Sequence, residues 1–230
     1  DEFSLHFQPV LDLTEKRTKR FEALLRWNNK QFGGVSPDRF IPILEQTGLI
    51  VPVGKWVLNE ALSQAQRWRW AGFDISIAVN ISPIQLMRGD LHAYIPALLK
   101  RYELAGNLLE LELTESVIMA DPEHSIMILN EFRALGITIA IDDFGTGYSS
   151  LSYLRRLPIQ KLKIDKAFIC DLGSNVDDAA IIDMILAMAR VLKLETVAEA
   201  VETKARLEYL AAHGCSEIQG YFFAKPLSAE

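Results

Sequence analysis

The sequence has few of the residues that build disulfide-bonded or zinc-binding proteins. It contains 2 cysteines and 4 histidines in 230 residues. Cys170 and Cys215 lie far apart, outside the spacing of a metal site, and the histidines share no motif. A disulfide scaffold and a zinc site are therefore disfavoured, and a reducing compartment is expected. We expect both cysteines to be core thiols.

Long apolar runs and clusters of basic residues are also missing. The longest apolar stretch, Ala179–Leu192, contains Asp183 and Arg190 and is too short to cross a bilayer, and no signal pattern opens the chain. A net charge of −6 without a Lys/Arg stripe argues against binding to polymeric DNA or RNA. The sequence thus predicts a cytoplasmic domain without membrane contact, whose anionic ligands would need a metal.

Length and pattern predict one domain over residues 1–230. Half of the residues are hydrophobic, enough for a barrel-sized core, and no linker interrupts the chain. Because Asp1 leads almost directly into a strand and no initiator Met is present, we expect a domain cut from a longer multidomain protein, either a cytoplasmic one or the cytoplasmic part of a membrane-anchored one.

Hydrophobic periodicity predicts eight strands, the later ones separated by helices. The predicted strands cover residues 3–13, 17–27, 75–82, 108–116, 138–144, 161–169, 195–200 and 217–223. The predicted helices cover residues 36–48, 54–71, 91–104, 122–135, 148–156, 177–192 and 203–213. This order is typical of an α/β fold, a TIM-like (β/α)8 barrel, in which the opening hairpin makes the first strand antiparallel.

Most of the later strands end on a polar or charged residue. These residues are Asn80, Glu112, Asp142, Asp143, Lys163, Glu199 and Gln219. Barrel enzymes place their chemistry at the carboxyl ends of the strands, so we expect one ring of side chains at one mouth. Hard oxygen ligands of this kind suit Mg²⁺ or Mn²⁺. Taken alone, Asp142 and Asp143 would more often form a solvated acidic turn than a metal site.

Several motifs in their order along the chain resemble the EAL domain family, the cyclic-di-GMP phosphodiesterases. The resemblance begins at Glu22-Ala23-Leu24-Leu25-Arg26-Trp27 and covers nearly the whole chain. The other motifs are Gln8-Pro9, Asn80-Ile81-Ser82, Glu112-Leu113-Thr114-Glu115, Asp142-Asp143-Phe144-Gly145-Thr146-Gly147, Lys163-Ile164-Asp165, Glu199-Ala200-Val201-Glu202, Gln219-Gly220-Tyr221 and Lys225-Pro226. No family position is replaced, which favours catalysis over binding alone.

The resemblance implies a two-metal hydrolysis of cyclic-di-GMP to linear pGpG. Glu22, Asn80, Glu112 and Asp142 would hold one Mg²⁺ or Mn²⁺, and Asp142 would bridge to a second held with Asp143. Lys163 and Glu199 would act on the attacking water, and Ca²⁺ would inhibit. Substrate would contact Gln8, Leu25, Arg26, Asp165, Glu202, Gln219 and Pro226, and Glu115 would anchor the loop after Asp143.

Two other functions remain open at this point. An EAL-like receptor would hold cyclic-di-GMP without cleaving it. An enolase-like barrel would also use strand-end acids with a Lys-x-Lys pair, but its lysines would precede the acids, whereas Lys161 and Lys163 follow most of them here.

The helix over residues 177–192 has more apolar residues than one barrel-facing stripe requires. Family members pair through this side of the barrel, so a homodimer is expected, with Met184 facing outward.

Overall fold

The computed structural model describes residues 2–88, 90–145, 151–172 and 176–229. Its strands are β1 (Phe3–Asp12), β2 (Arg17–Asn29), β3 (Gly33–Val35), β4 (Ser76–Asn80), β5 (Leu109–Thr114), β6 (Thr138–Phe144), β7 (Lys161–Ile164), β8 (Glu195–Ala198) and β9 (Glu217–Ile218). Its helices are α1 (Pro37–Thr47), α2 (Ile50–Trp70), α3 (Pro83–Arg88), α4 (Leu91–Arg101), α5 (Glu115–Ala120), α6 (Pro122–Ala134), α7 (Leu151–Leu154), α8 (Lys166–Cys170), α9 (Val176–Leu192) and α10 (Lys204–Ala212).

The strands close into the predicted barrel with one antiparallel strand. The sheet order is β1-β9-β8-β7-β6-β5-β4-β2-β3, and a further pairing of β1 with β2 closes the ring. β1 runs antiparallel to both neighbours, whereas the pairs from β2–β4 through β8–β9 are parallel. β3 extends β2 beyond the barrel as a short hairpin that the sequence pattern did not predict.

The main core lies between the barrel and its helices. Outward residues of β4 and β5, such as Ile77, Val79 and Leu111, are fully buried beside Leu58 and Leu62 of α2. Because side chains alternate along a strand, the intervening residues point into the barrel. Polar residues at those positions are thereby held in the interior.

Several predicted boundaries were wrong. β7 ends at Ile164 rather than at residue 169, because the Asp165 carboxylate accepts a hydrogen bond from the Ala167 N–H at 2.7 Å and so begins α8. β9 has only two residues, and α2 begins at Ile50, four residues before the expected start. Of the predicted helix 148–156, residues 151–154 are helical, and residues 148–150 lie outside the described ranges.

Two further predictions concern the cysteines and the membrane. Cys215 is buried, but Cys170, at the end of α8, is exposed, so the expectation of two core thiols holds for only one of them. None of the helices in the described ranges is long and apolar enough to cross a membrane.

Candidate active site

Strand register brings the polar inward side chains to one end of the barrel. Gln8 pairs with Glu22 across β1–β2, and Asn80 pairs with Glu112 across β4–β5. Residues directly paired across two strands point to the same face of the sheet. The predicted ring therefore forms because each polar residue occupies an inward position near the carboxyl end of a parallel strand.

The Lys163 ammonium lies at the centre of this ring. Its Nζ is 2.8 Å from a carboxylate oxygen of Glu112, 2.8 Å from one of Glu199 and 3.2 Å from one of Asp142. An oxygen of Glu22 lies at 3.8 Å. Burial opposes the charge, but Asp142, Glu112 and Glu199 outweigh it and raise the Lys163 pKa well above its usual value, so the side chain is a fixed cation.

Amide side chains orient the Glu22 carboxylate. Asn80 Nδ2 donates to one oxygen at 2.7 Å, and Gln219 Nε2 donates to the other at 2.6 Å. Gln219 also donates to Gln8 Oε1 at 3.0 Å, and Gln8 donates to the Ala224 carbonyl at 3.1 Å. Burial disfavours ionisation of Glu22, but Lys163 and these donors outweigh it and lower its pKa. The carboxylate is therefore ionised and held in one orientation.

A bulge places Asp143 beside Asp142. Strict alternation would point two adjacent residues to opposite faces, but the register of β6 against β7 shifts between Ile141 and Phe144, and Asp143 has φ 51°. Ligand oxygens of Asp142, Asp143 and Glu199 consequently lie within 4.8 Å of one another. Three carboxylates at that separation could bind one cation.

The carboxyl groups of this site resist ionising together. Burial, followed by the charges of Asp142 and Glu22, raises the pKa of Glu199 to about 7 even though Lys163 acts in the opposite direction. Burial and Asp142 raise the pKa of Asp143 to about 6. Burial and Glu22 raise the pKa of Glu112 well above its usual range. Negative charge is therefore in excess, and further positive charge would stabilise the site.

A cavity of about 660 Å³ opens beside these carboxylates. Asn80, Asp142 and Asp143 line one part of it, and the predicted ligand residues Leu25 and Arg26 line another. Arg26 donates to the Leu25 carbonyl at 3.0 Å. The cavity therefore connects the charged ring to a wall that includes a guanidinium group.

The other predicted site residues lie in different structural environments. Asp165 is buried as the cap of α8 and hydrogen-bonds with Asp143, whereas Glu202 is exposed after β8. Pro226 is half-buried one residue before Leu227, which pairs with Phe7 of β1. Glu115 is buried at the start of α5. The loop that Glu115 was predicted to anchor contains residues 146–150, including Thr146 and Gly147, which lie outside the described ranges.

A second charged ring, at the other end of the barrel, was missed. Arg20 contacts Glu110 at 3.0 Å and Glu217 at 2.5 Å, and Lys161 contacts the same two carboxylates at 3.3 and 3.1 Å. All four residues are buried and stand two positions before Glu22, Glu112, Lys163 and Gln219 on the same strands. That spacing of two was the signal that could have revealed them.

The donor set suits a hard divalent cation. Four carboxylates, from Glu22, Glu112, Asp142 and Glu199, lie within 3.8 Å of the Lys163 ammonium. A fifth, from Asp143, lies within 4.8 Å of the Asp142 and Glu199 oxygens. Carboxylate oxygens are the ligands that Mg²⁺, Mn²⁺ and Ca²⁺ prefer. The raised pKa values of three of these carboxyls show that one ammonium does not balance the charge.

Comparisons with known proteins agree with the family resemblance seen in the sequence motifs. A family model described as "EAL domain" matches residues 1–226. The chain is 46% identical over 227 residues to the bifunctional diguanylate cyclase/cyclic di-GMP phosphodiesterase MucR of Pseudomonas aeruginosa, covering 98% of this chain and 33% of that protein. It is 41% identical over 228 residues to the cyclic di-GMP phosphodiesterase NbdA of the same species, covering 99% and 29%. This chain thus spans about a third of these relatives.

A solved structure named "PaMucR Phosphodiesterase, c-di-GMP complex" superposes on the fold with a TM-score of 0.96 at 45% identity. The match covers 99% of this chain and 93% of the solved one.

Proposed function

Because the chain belongs to the EAL domain family, we propose that it is a metal-dependent phosphodiesterase that hydrolyses cyclic-di-GMP to linear pGpG. The observation that carries the proposal is the excess of carboxylates around Lys163 at the carboxyl ends of the strands. Such a site binds divalent cations, and these can clamp a phosphodiester without a basic surface. The names of the relatives agree with this activity.

Two Mg²⁺ or Mn²⁺ ions are the proposed cofactors. Glu22, Asn80, Glu112 and Asp142 would hold one ion, and Asp142 and Asp143 would hold the second, with the Glu199 carboxylate within reach of this pair. When bound, such ions lower the pKa of water and stabilise negative charge on phosphate oxygens. Ca²⁺ would bind but inhibit, because its coordination is looser.

Glu199 and Lys163 would act on the attacking water. In the metal-free chain the Glu199 pKa is raised to about 7, and nearby cations would favour the ionised carboxylate, which can accept a proton from water. Lys163 Nζ, 2.8 Å from Glu199, holds that carboxylate in place. As the water oxygen bonds to phosphorus, the bond from phosphorus to the ribose 3′ oxygen breaks, and that oxygen takes up a proton.

Residues around the mouth would bind the dinucleotide. Arg26 and Leu25 line the cavity next to Asp142, and Arg26 is a planar donor that suits a phosphate or a guanine edge. We assign Gln8, Asp165, Glu202, Gln219 and Pro226 to the same function from the family pattern. Glu115 would support the loop after Asp143.

An activity assay with a matched pair of variants tests the proposal. The chain should convert cyclic-di-GMP to pGpG with Mg²⁺ or Mn²⁺, and chromatography of the products measures this. Glu22→Ala should abolish turnover, whereas Glu208→Ala, which changes an exposed acid on α10, should not. Binding of cyclic-di-GMP without turnover in the presence of either metal would instead identify a receptor.

The wider setting is also a proposal. Since the relatives are about three times as long, residues 1–230 would form one catalytic domain fused to regulatory or sensor domains. Cyclic-di-GMP as substrate implies a cytoplasmic position, whether or not the whole protein is anchored in a membrane. Polymeric nucleic acid is not an expected partner, because the net charge is −6.

A homodimer is the proposed assembly. The exposed face of α9 carries an apolar stripe of Ala180, Met184, Ala187 and Val191, and Met184 and Val191 are 65% and 81% exposed. Opposite this stripe, buried Ile185 lies beside Gly145, which follows the Asp142–Asp143 pair by two residues. A second α9 packed across a two-fold axis would cover the stripe and, through Ile185 and Gly145, couple association to the position of the Asp142–Asp143 pair.

A further inference from the structure

The backbone from Asp143 to Gly145 is held in an unusual conformation. Asp143 has φ 51° and Gly145 has φ 99°, so two of three consecutive residues are left-handed. A glycine adopts such angles freely, whereas an aspartate is strained by them. A strained residue keeps its conformation only where neighbouring groups hold it. The groups that hold this segment therefore also hold a proposed metal ligand.

The short helix α8 contacts this segment at two points. The Asp165 carboxyl group, which caps α8, hydrogen-bonds with the Asp143 carboxyl group. Three residues further along the chain, the Phe168 ring lies against Gly145. A Cβ added at that glycine would be 2.9 Å from the ring atom Cε2 and 3.2 Å from Cζ. The ring therefore occupies the space that a larger residue at position 145 would need.

The α8 helix is itself anchored in the core. Asp165 caps its first turn, the Ile169 side chain is 0% exposed, and the helix packs against α9. Ile185 of α9 reaches the same glycine, since its Cδ1 would lie 3.5 Å from a Cβ added at Gly145. Gly145 is thus in contact with side chains of two helices that pack on each other.

We propose that Phe168 is a positioning residue that holds the Asp143 carboxylate where a divalent cation binds it. The ring limits the movement of Gly145 and so prevents the strained backbone at Asp143 from relaxing. The inference rests on the proposed function, which supplies the second cation. Groups that orient metal ligands change metal affinity by about 10- to 100-fold. A ring that only fills the core would instead affect stability and leave metal affinity unchanged.

The experiment compares Mn²⁺ binding among matched variants of the chain. Phe168→Ala removes the ring, and Phe168→Leu keeps an apolar side chain that fills part of its space. Tyr102→Ala is the control, since it removes another half-buried ring that packs on the core, at the end of α4. Calorimetric titration with Mn²⁺ in the absence of substrate measures affinity, and thermal unfolding reports on the fold. The Mn²⁺ concentration that gives half-maximal turnover of cyclic-di-GMP is measured separately.

Phe168→Ala should weaken Mn²⁺ binding at one of the two proposed sites about tenfold. The Mn²⁺ concentration for half-maximal turnover should rise by a similar factor, and saturating Mn²⁺ should restore most of kcat, because the ring acts through Asp143 rather than on the substrate. Phe168→Leu should recover most of the lost affinity. Tyr102→Ala should lower the unfolding temperature but leave the Mn²⁺ affinity unchanged.

Gly145→Ala tests the same contact from the other side, and it remains informative if Phe168→Ala does not fold. The added methyl group would press against the ring and should also weaken Mn²⁺ binding. In a chain that carries both substitutions the ring is absent, so the methyl group should reduce the affinity by a smaller factor than it does alone. Two changes that act through one contact are not additive.

Three results would overturn the role given to Phe168. They are an unchanged Mn²⁺ affinity in folded Phe168→Ala, an equal loss of affinity in Tyr102→Ala, and independent effects of Phe168→Ala and Gly145→Ala. Because the titration needs no substrate, a chain that binds Mn²⁺ but does not cleave cyclic-di-GMP would contradict the proposed activity and not the role of Phe168. A wild-type chain that binds no Mn²⁺ would contradict both.

Discussion

The Lys163 ammonium determines the chemistry of its neighbours. Its distances of 2.8 Å to both Glu112 and Glu199 leave neither carboxylate independent of its charge. Without it, these buried carboxylates would repel each other more strongly and take up protons. A lysine that is 1% exposed inside a barrel is rare unless acids surround it. The sequence pattern predicted this position correctly because Lys163 lies on the inward face of its strand.

Lys163→Met should lower kcat by roughly 100-fold or more, because in the proposed mechanism Lys163 holds Glu199 beside the attacking water. Lys161→Met is the matched control, since it changes a second inward lysine of β7 whose partners Glu110 and Glu217 lie at the other end of the barrel. The control should lower the unfolding temperature but retain the turnover of the folded protein. Steady-state rates and thermal unfolding measure both. Equal losses of kcat would contradict the role given to Lys163.

Metal binding should strengthen as pH rises through the neutral range. The Glu199 carboxyl has a pKa of about 7 in the folded, metal-free chain against an ordinary value of 4.5, so the folded state keeps its proton longer than the unfolded chain does. The stability from this group is fully present below about pH 4.5 and is lost as pH rises to about 7. A cation requires the ionised form, so its affinity increases over the same window.

Calorimetric titration with Mn²⁺ should therefore show at least about tenfold tighter binding at about pH 7.5 than at about pH 5.5. Glu199→Gln should reduce this dependence but not remove it, because Asp143 titrates near 6. An affinity that does not change with pH in the wild-type chain would contradict the assignment.

At the scale of elements, two tight backbone features position the site. The bulge in β6 turns Asp143 toward the mouth. After β9, Gly220 lies so close to the Val201 backbone that a Cβ would collide with it. Val201 in turn donates to the Gln219 carbonyl at 3.0 Å and accepts from Phe222 at 3.1 Å. The close packing of Gly220 against Val201 fixes the position from which the Gln219 side chain reaches Glu22.

Gly220→Ala should destabilise the chain by about 1–3 kcal/mol, because the Val201 backbone can move only by breaking those hydrogen bonds. It should also raise KM, since Gln219 would shift. Gly34→Ala is the control, as a Cβ there would meet no atom within 4 Å, and its effect should stay within about 0.5 kcal/mol. Denaturant unfolding measures both. If Gly220→Ala left the free energy of unfolding unchanged, the loops after β8 and β9 would be shown to move apart easily.

At the scale of the whole molecule, the barrel separates stability from chemistry. Arg20, Glu110, Lys161 and Glu217 neutralise one another at the end where the strands begin. At the opposite end, four carboxylates contact the Lys163 ammonium, so among the described residues the negative charge there exceeds the positive charge and additional cations would be stabilising. The distribution agrees with the general division of barrel enzymes into a stabilising end and a catalytic end.

Met184→Glu should dissociate the proposed homodimer and lower activity, because a charge would be buried in the apolar stripe of α9. Met127→Glu is the matched control, since Met127 is 54% exposed on α6, against 65% for Met184. The control should remain dimeric and active. Sedimentation velocity and the pGpG assay on the same samples measure both properties. A wild-type chain that is monomeric and fully active would contradict the dimer.

The sequence by itself determined the barrel, the antiparallel first strand and the membership of the charged ring. Alternation with a period of two fixed which residues of each strand face inward, and the order of strands and helices fixed the end at which they meet. Asn80, Glu112 and Lys163 could therefore be placed together without coordinates, since local periodicity and chain order are both visible in one sequence. Glu22 joined them only through the resemblance to the EAL domain family.

Only the tertiary structure determined which partners the charged side chains inside the barrel contact. A bulge in β6 turned Asp143 toward Asp142, and the Asp165 side chain became the cap of α8. Arg20 paired with Glu110 and Glu217 across the barrel. Each of these depends on the register between strands that are distant in sequence. Burial and the competition among neighbouring charges then set the pKa values, and neither quantity exists until the barrel has closed.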